Sequence, residues 1–495
     1  MNFKMIRYTL GQLLIFETAF LALPMLVALI YGEWRQLLAV AITMGITLTI
    51  GCILGYKRPE RMKLFAKEGF VIVSLCWIML SAFGALPFVI CGAIPNYIDA
   101  LFEMVSGFTT TGSSILTDVE ALPRSLLMWR SFSNWIGGMG VLVFIMAIIP
   151  LGGAQNMHIM KAESPGPDVS KLVPRVKNTA KLLYAIYICM TLLQLILLLC
   201  GGMSLFDAAA TAFSTAGTGG FGVRNDSIGS FSPYIQIVCT VFMLLFSVNF
   251  NSYFLLFKGR LRDALNSEVR AFFAIVLFCI GIITFNLLQT GNGTVNGVGE
   301  AIRHASFTVA SIISTCGFAT VDFDLWPQLS RTIIVVLMFI GACAGSTGGG
   351  FKVSRLMILV KGAAKEMQTR IHPKQVKRMT IDKKPLGSEL VRTVNAYLVI
   401  YFMVFICSLL IISFDPYAAA TNPATGNLMN EGVTNFTAVA SAINNIGPGL
   451  EMVGPTANYA FFSPLSKLVL IFDMLAGRLE LIPMLLLFSP ITWKR

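Results

Sequence analysis

Long apolar stretches recur along the whole chain and constrain its fold more than any other feature. Charged residues make up only 13% of the sequence, about half of the share usual in soluble domains. Each apolar stretch is long enough to cross roughly 30 Å of hydrocarbon as an α-helix. The sequence therefore predicts an all-α polytopic membrane protein with ten transmembrane helices. They are expected within residues 9–30, 36–55, 69–93, 126–150, 179–201, 232–257, 271–289, 330–360, 393–413 and 464–489.

Lys and Arg residues are concentrated in alternate connections between these stretches. Segments 57–68, 151–178, 258–270 and 361–392 hold 5, 4, 4 and 9 of them, whereas the intervening connections together hold four. By the positive-inside rule, this asymmetry predicts that the basic connections and both termini are cytoplasmic. The net charge of +12 is then orientation charge, so it does not indicate nucleic-acid binding.

Four short segments between the stretches, on the predicted outer side, share one pattern. Each has an acidic residue near its start, then roughly ten helix-compatible residues, too few to cross a bilayer. Each ends in a small polar residue, a variable residue and glycine. We number them one to four: NYIDALFEMVSGFTTTGSS (96–114), SLFDAAATAFSTAGTGGFG (204–222), GEAIRHASFTVASIISTCGFAT (299–320) and EGVTNFTAVASAINNIGPG (431–449).

The pattern predicts a unit of span, short helix, glycine turn and span, which occurs four times after two N-terminal helices. A short helix that enters from outside points its partly negative C-terminal end toward the membrane centre. The glycine turn lets backbone carbonyls face a central axis, where they can replace the water shell of a cation. For one copy, a glycine that merely ends a helix is the simpler interpretation; four copies in register favour a pore. The predicted units are 1–56 (two N-terminal helices), 57–150, 151–257, 258–360 and 361–495.

Residues 341–354, GACAGSTGGGFKVS, resemble a phosphate-binding loop but do not fit one. The Walker pattern requires lysine directly after the last glycine, and Phe351 intervenes before Lys352. The run also lies inside an apolar stretch with no strand before it. Residues Gly345–Gly350 would break the helix near the membrane centre, where freed backbone must face water or protein. Either a gating loop or a close-packing patch of small residues fits, and consecutive glycines favour the loop.

Charged residues within the spans are expected to be functional, because burying them in the membrane is costly. Arg478 lies in DMLAGRLELI close to Asp473 and Glu480. It is either part of an ion pair between helices or a cation beneath the glycine turns. Lys352 and Arg355 follow the glycine run, and we expect them to extend toward the cytoplasmic interface.

Several motifs together resemble the superfamily of potassium transporters that contains TrkH, KtrB and the plant HKT proteins, and most closely its TrkH branch. The resemblance covers essentially the whole chain. The motifs are NWIGGMG (134–140), AESPGP (162–167), LVPRVKNTAKLLY (172–184), AGSTGGGFK (344–352), NNIGPGL (444–450) and AGRLEL (476–481).

This resemblance implies a pseudo-fourfold potassium pore formed by one chain. The implied selectivity filter consists of Thr110, Thr111, Gly112, Thr218, Gly219, Gly220, Thr315, Cys316, Gly317, Asn445, Ile446 and Gly447. The implied gate consists of Gly345, Ser346, Thr347, Gly348, Gly349, Gly350 and Arg478. Serine at the first filter glycine accompanies sodium preference in the HKT branch, so Gly112 indicates potassium. Asn445-Ile446 and Pro448 depart from the pattern, which indicates moderate discrimination over sodium.

The resemblance also implies partners and a location. K⁺ is the expected permeant ion, with Rb⁺ as a surrogate, and no cofactor or nucleic acid is expected. A homodimer in the bacterial inner membrane and a cytoplasmic TrkA-type nucleotide-binding regulatory subunit are further expectations. A secondary symporter that couples K⁺ to H⁺ or Na⁺ remains the alternative, although that class usually has inverted repeats. An enzyme is not expected, because no paired catalytic aspartates, HExxH motif or nucleophile elbow is present.

Overall fold

A computed structural model describes residues 1–59, 66–140, 176–290, 297–373, 379–382, 384–417, 421 and 428–493. These residues are almost entirely helical. In chain order the helices are α1 Phe3–Phe20, α2 Ala22–Tyr31, α3 Trp34–Gly55, α4 Ala66–Gly84, α5 Leu86–Ile90, α6 Tyr97–Phe108, α7 Arg124–Gly138, α8 Val176–Cys200, α9 Leu205–Gly217, α10 Pro233–Phe246, α11 Phe250–Phe257, α12 Leu261–Ala264, α13 Ser267–Thr290, α14 Val298–Ile313, α15 Gln328–Met338, α16 Val353–Ile371, α17 Ser388–Ile412, α18 Glu431–Asn444, α19 Pro464–Arg478, α20 Ile482–Phe488 and α21 Pro490–Trp493.

Six helical stretches in the described ranges are long and apolar enough to cross a membrane. They comprise the N-terminal pair and the first span of each predicted unit. These findings confirm a multi-pass helical membrane protein. The stretches are Phe3–Tyr31, Trp34–Gly55, Lys67–Ile90, Lys181–Cys200, Ser267–Thr290 and Ser388–Ile412.

Helices end early in the second span of all four units, whereas the sequence predicted a break only in unit three, at Gly345–Gly350. Helices α7, α10, α15 and α19 have only 15, 14, 11 and 15 residues. At 1.5 Å per residue, even 15 residues cover about 22 Å, less than the hydrocarbon thickness. Helices α10 and α11 are bent by 90° at their break, and they make a seventh span if counted together. The part of stretch 126–150 after residue 140 lies outside the described residues.

The four short helices of the repeated segments are α6, α9, α14 and α18, with 12, 13, 16 and 14 residues. Each carries an acidic residue in its first turn, where the helix dipole favours negative charge. Asn96, Ser204 and Asn430 also cap α6, α9 and α18 by accepting a hydrogen bond from a backbone N–H of the first turn. The local sequence therefore explains both the start and the short length of these helices.

Two short helices pack against the second helix of their unit in the same way. A Cβ added to Gly137 of α7 would lie 1.8 Å from the Phe108 carbonyl oxygen, and one on Gly477 of α19 would lie 2.1 Å from that of Ile443. Phe108 and Ile443 each stand four residues before the glycine of their triplet. Units one and four therefore share a close helix-to-helix approach at matching positions.

A small hairpin lies in the connection between the third and fourth units. Strands β1 (Thr380–Ile381) and β2 (Lys384–Pro385) pair antiparallel, with Thr380 opposite Pro385. The hairpin belongs to the basic connection 361–392, which separates α16 from α17.

Candidate functional site

All four glycine turns begin with a residue in the left-handed backbone region. The φ angles are 56° at Thr110, 55° at Thr218, 58° at Thr315 and 55° at Asn445. This conformation is unfavourable for non-glycine residues, costing of order 1–3 kcal/mol each, and it persists only where the surroundings enforce it. The same strained conformation at the same position in four segments indicates a functional site.

The residue after each strained position makes a matching hydrogen bond. Its backbone N–H donates to the carbonyl of a serine that stands six residues before the triplet glycine. The four bonds are Thr111 to Ser106 (2.8 Å), Gly219 to Ser214 (2.9 Å), Cys316 to Ser311 (2.9 Å) and Ile446 to Ser441 (3.0 Å). Sequence reasoning missed this serine, although its spacing is readable in all four segments.

The four triplet glycines close a ring in chain order. Each glycine leaves space for a backbone carbonyl of the next segment, and the fourth returns to the first. A Cβ added to Gly112 would lie 2.3 Å from the carbonyl oxygen of Gly219, and a Cβ added to Gly220 would lie 1.9 Å from the carbonyl oxygen of Cys316. The corresponding distances are 2.1 Å from Gly317 to the Ile446 oxygen and 2.9 Å from Gly447 to the Thr111 oxygen. In the first three contacts, any larger residue would force the ring apart.

All four glycines also line one cavity of about 150 Å³. The segments that follow the short helices form the rest of its wall, including Ser113, Arg130 and Tyr459. None of its described lining residues is acidic. Asp99, one of the acidic residues of these connections, accepts a hydrogen bond from Lys467 Nζ at 2.7 Å.

The fourth segment departs from the other three at the carbonyl of Gly447. This oxygen accepts hydrogen bonds from Ser441 Oγ at 2.7 Å, Tyr459 OH at 2.8 Å and Ser113 Oγ at 3.0 Å. A carbonyl oxygen has two lone pairs, so three donors leave it little capacity to replace the water of a cation.

The third segment shows the contrast. Ser311 stands where Ser441 stands in the fourth segment, but its Oγ donates to the carbonyl of Phe318 at 2.6 Å. Phe318 is the residue after the triplet glycine Gly317. In the fourth segment the corresponding residue is Pro448, and the serine binds the glycine carbonyl itself. The fourth segment therefore presents its carbonyls differently, as its unusual sequence suggested.

A non-helical stretch of residues 339–352, here called the glycine-rich loop, lies against the turns. Helix α15 ends at Met338, seven residues before the break expected at Gly345. The N–H of Gly349 donates to Thr315 Oγ1 at 2.6 Å. A Cβ on Gly349 would lie 2.6 Å from the Asn444 carbonyl oxygen. The loop thus contacts the strained residue of segment three and the end of the short helix of segment four.

The glycine-rich loop also fills the break between α10 and α11. It makes backbone hydrogen bonds in both directions with residues of that break. These are Cys343 N to Ser247 O (3.1 Å), Thr347 N to Phe246 O (3.4 Å) and Phe250 N to Gly345 O (3.1 Å). Helices α10 and α11 of unit two therefore form part of the surface against which the glycine-rich loop packs.

Arg478, at the end of α19, contacts the glycine-rich loop directly. Its Nη1 donates to the Thr347 carbonyl at 2.9 Å, and its Nη2 donates to the carbonyls of Gly138, at 2.8 Å, and Gly137 at the end of α7. The side chain thus joins the loop to units one and four. Of the two carboxylates nearby in sequence, Glu480 binds Arg355 and Asp473 accepts from Ser408 at 2.7 Å.

Lys352 and Arg355 do not extend to the interface, so that expectation was wrong. Their exposed fractions are 1% and 5%. Lys352 Nζ donates to the Gly348 carbonyl within the loop, and Arg355 pairs with Glu480. Lys352 directly precedes α16 and Arg355 lies in its first turn, and this end of the helix is buried inside the protein. Three buried cationic side chains therefore surround the glycine-rich loop.

The helices and the site together define a multi-pass helical membrane protein in which short helix–turn segments alternate with long apolar helices, an architecture suited to passing ions across a bilayer. A family model described as TrkH, cation transport protein, matches residues 37–494. The chain accordingly belongs to the TrkH family of cation transport proteins, which confirms the resemblance found in its motifs.

Individual relatives agree with this assignment over their full length. The chain is 36% identical to the Trk system potassium uptake protein TrkH of Salmonella typhimurium, with 100% of both chains covered. It is 32% identical to the Trk system potassium uptake protein TrkG of Escherichia coli K12, covering 95% of this chain and 94% of TrkG. The crystal structure of the potassium transporter TrkH from Vibrio parahaemolyticus matches with a TM-score of 0.86 and 32% identity, covering 100% of both chains.

Proposed function

We propose that this chain takes up K⁺ across the bacterial cytoplasmic membrane through a pseudo-fourfold pore formed by the four glycine turns. The observation that carries the proposal is the closed ring, in which each triplet glycine bears on a carbonyl of the next segment. The short helices end at this ring, and their partly negative C-terminal ends favour a cation there. The names of the relatives, which specify potassium uptake, support K⁺ as the ion.

The ion ligands in this proposal are backbone carbonyls of the four triplets. Segments one to three supply them from Thr110 to Gly112, Thr218 to Gly220 and Thr315 to Gly317. In segment four, Asn445 and Ile446 contribute, whereas the Gly447 carbonyl is already bound by three hydroxyl donors. Unequal ligands around the ring support a pore that discriminates only moderately between K⁺ and Na⁺.

The proposed gate is the glycine-rich loop, with Gly345–Gly350 at its centre and Arg478 as its partner. The loop lies against Thr315 and Asn444 at the inner end of the turns. Arg478 and Lys352 add buried positive charge beside it, whereas the charge of Arg355 is offset by its ion pair with Glu480. This positive charge opposes the passage of a cation while the loop is in place. Opening then requires the loop to move and Arg478 to release Thr347.

Further parts of the proposal come from the motif resemblance and the charge distribution. Both termini and the basic connections are cytoplasmic, the chain forms a homodimer, and a TrkA-type nucleotide-binding subunit regulates it from the cytoplasm. The connection 361–392, with nine Lys and Arg residues, is a suitable docking surface for that subunit. Rb⁺ permeates as a surrogate, and the chain has no enzymatic activity and needs no bound cofactor.

The experiment that tests the transport mode is a reversal-potential measurement on proteoliposomes that contain the full chain. With Na⁺ absent from both sides, a pore predicts that the reversal potential follows the K⁺ gradient at every pH. A shift with pH, or a K⁺ current that disappears when Na⁺ is removed, would contradict the pore and support the symport alternative. Liposomes without protein control for leak.

A further inference from the structure

Glu268, near the start of α13, accepts hydrogen bonds from the backbone on both sides of Gly345–Gly350. Its Oε1 accepts a hydrogen bond from the Ala344 N–H at 2.7 Å and another from the Ser354 N–H at 3.2 Å. These two amides lie on either side of Gly345–Gly350. The side chain is largely buried, with 9% exposed. One carboxylate oxygen that accepts both hydrogen bonds therefore restrains the backbone at Ala344 and at Ser354, the two hinges on either side of Gly345–Gly350.

The residue before Glu268 is bound from the cytoplasmic hairpin. Asp382 stands between β1 and β2, and its Oδ1 accepts from the N–H of Ser267 at 2.9 Å and from its Oγ at 2.5 Å. Arg270 Nη2 lies 4.0 Å from the same oxygen. Asp382 thus caps the first turn of α13, as a carboxylate does at a helix N-terminus, and it does so from 115 positions away.

The hairpin is also bound to the helix that leaves the loop. Lys361 of α16 donates from Nζ to the Thr380 carbonyl at 2.8 Å. Helix α16 begins at Val353, directly after the glycine-rich loop. The hairpin therefore contacts both the helix that carries Glu268 and the helix that continues from the loop.

We propose that Glu268 is a positioning residue that keeps the glycine-rich loop closed, and that the 380–385 hairpin controls this restraint from the cytoplasmic side through Asp382 and Ser267. A displacement of the hairpin away from α13 uncaps that helix, shifts Glu268 and loosens both hinges of the loop. This inference rests on the proposed gating function of the loop and adds the route by which the cytoplasmic face reaches it.

The test compares ⁸⁶Rb⁺ uptake into proteoliposomes for the full chain and for Glu268→Ala, Glu268→Gln and Asp382→Ala. Asp263→Ala is the matched control, because Asp263 is an exposed carboxylate that pairs with Arg260 at 2.6 Å just before α13. We expect Glu268→Ala to raise basal uptake several-fold and Asp382→Ala to raise it less. Glu268→Gln retains most of the restraint because its amide oxygen can accept the same two hydrogen bonds. The control leaves uptake unchanged.

Hydrogen exchange gives a second readout that does not depend on transport. Loss of the bonds to Glu268 should speed exchange of the Ala344 and Ser354 amides by roughly tenfold. Asp382→Ala should speed it by a smaller factor, and Asp263→Ala should not change it. Unchanged exchange in Asp382→Ala would overturn the hairpin route, and this variant also serves if Glu268→Ala does not fold.

A deletion background separates this inference from the gate itself. If removal of Gly345–Gly350 raises uptake but Glu268→Ala does not, the inference is overturned and the gate stands. If the deletion leaves uptake unchanged, the proposed gate fails. When both changes are combined, Glu268→Ala should add nothing to the deletion. An additive increase would show that Glu268 acts elsewhere.

Discussion

Arg478 and Thr347 lie 131 positions apart in the chain and are joined by a hydrogen bond of 2.9 Å from Nη1 to the carbonyl oxygen. The same guanidinium reaches the carbonyls at the end of α7. A planar group with five donors can hold several carbonyls at once, which a lysine cannot do in the same geometry. The position of the glycine-rich loop therefore depends on one side chain that three units share.

Arg478→Ala is expected to raise basal Rb⁺ uptake. Hydrogen bonds from a charged group contribute about 1.5–3 kcal/mol, so their loss from the closed state corresponds to an increase of roughly tenfold or more. Basal uptake in Arg478→Lys should lie between that of Arg478→Ala and that of the unmodified chain. Lysine keeps the positive charge but lacks the planar set of N–H donors of the guanidinium. Arg124→Ala is the control, because Arg124 is an exposed arginine that stacks on Tyr31 at 4.4 Å. Uptake equal to that of the unmodified chain in Arg478→Ala would contradict its role in the gate.

Gly349→Ala adds one methyl group where the glycine-rich loop packs against Asn444 and Asn445. The new Cβ would lie 2.6 Å from the Asn444 carbonyl oxygen and 3.1 Å from Asn445 Cβ. Overpacking of this kind costs about 1–3 kcal/mol. It destabilises only the closed position of the loop, so basal uptake should rise several-fold. Gly362→Ala, in α16 with no atom within 4 Å of the new Cβ, should change nothing. Basal uptake equal to that of the unmodified chain would show that the loop does not pack against Asn444 in the closed state.

Gly112→Ser is expected to raise Na⁺ permeability relative to K⁺. The new Cβ would lie 2.3 Å from the Gly219 carbonyl oxygen, and the residue has a φ of 84°, so the ring must widen or distort. A wider ring fits K⁺ less well, and the bi-ionic reversal potential measures the ratio. Gly32→Ser is the control, because Gly32 has a similar φ of 69° and no atom within 4 Å. An unchanged permeability ratio in Gly112→Ser would count against the filter assignment.

The stability of the fold should fall as pH rises from about 4 to about 7, in part because of Asp324. This carboxyl lies in the connection between α14 and α15, and burial raises its pKa to about 7, whereas an unfolded Asp has a pKa of about 3.9. Between these values the folded state binds a proton that the unfolded state has lost, so the free energy of unfolding decreases with pH.

Asp324→Asn should flatten that slope in thermal unfolding measurements on the detergent-solubilised protein. Asp118→Asn is the control: a hydrogen bond from Asn225 lowers the pKa of Asp118. Asp118 therefore loses its proton near or below pH 4 in both states and adds little slope above about pH 5. If stability depended equally on pH in Asp324→Asn and in the unmodified chain, the contribution assigned to Asp324 would be refuted.

The repeated segments could be predicted from the sequence because their signals are local. A short apolar helix, an acidic first turn and a glycine six residues after a serine are all readable without knowing any tertiary contact. The strained residues Thr110, Thr218, Thr315 and Asn445 were found in this way, as the first members of their triplets.

The surroundings of the loop were harder to predict, because they depend on contacts between distant units. Helix α15 stops at Met338 although the sequence remains apolar to Gly341. The loop that follows finds backbone partners at the break between α10 and α11, through Cys343, Gly345 and Thr347. Lys352 looks like an interfacial lysine in sequence, and only the folded loop provides the carbonyl that binds it. Glu268 and Asp382 carry no motif, so their connection to the loop is visible only in three dimensions.

The ring of glycines has a consequence for how such a protein can change over evolutionary time. In an assembly of four identical subunits, one mutation alters every quadrant of the ring at once. In this chain each of the four segments has its own codons. A substitution of one triplet glycine therefore changes that segment and its contact with one carbonyl of the next segment. The fourth segment, with Asn445 and the bound Gly447 carbonyl, already differs from the other three. In the proposed pore, the ligands of one segment can therefore change while those of the other three stay the same.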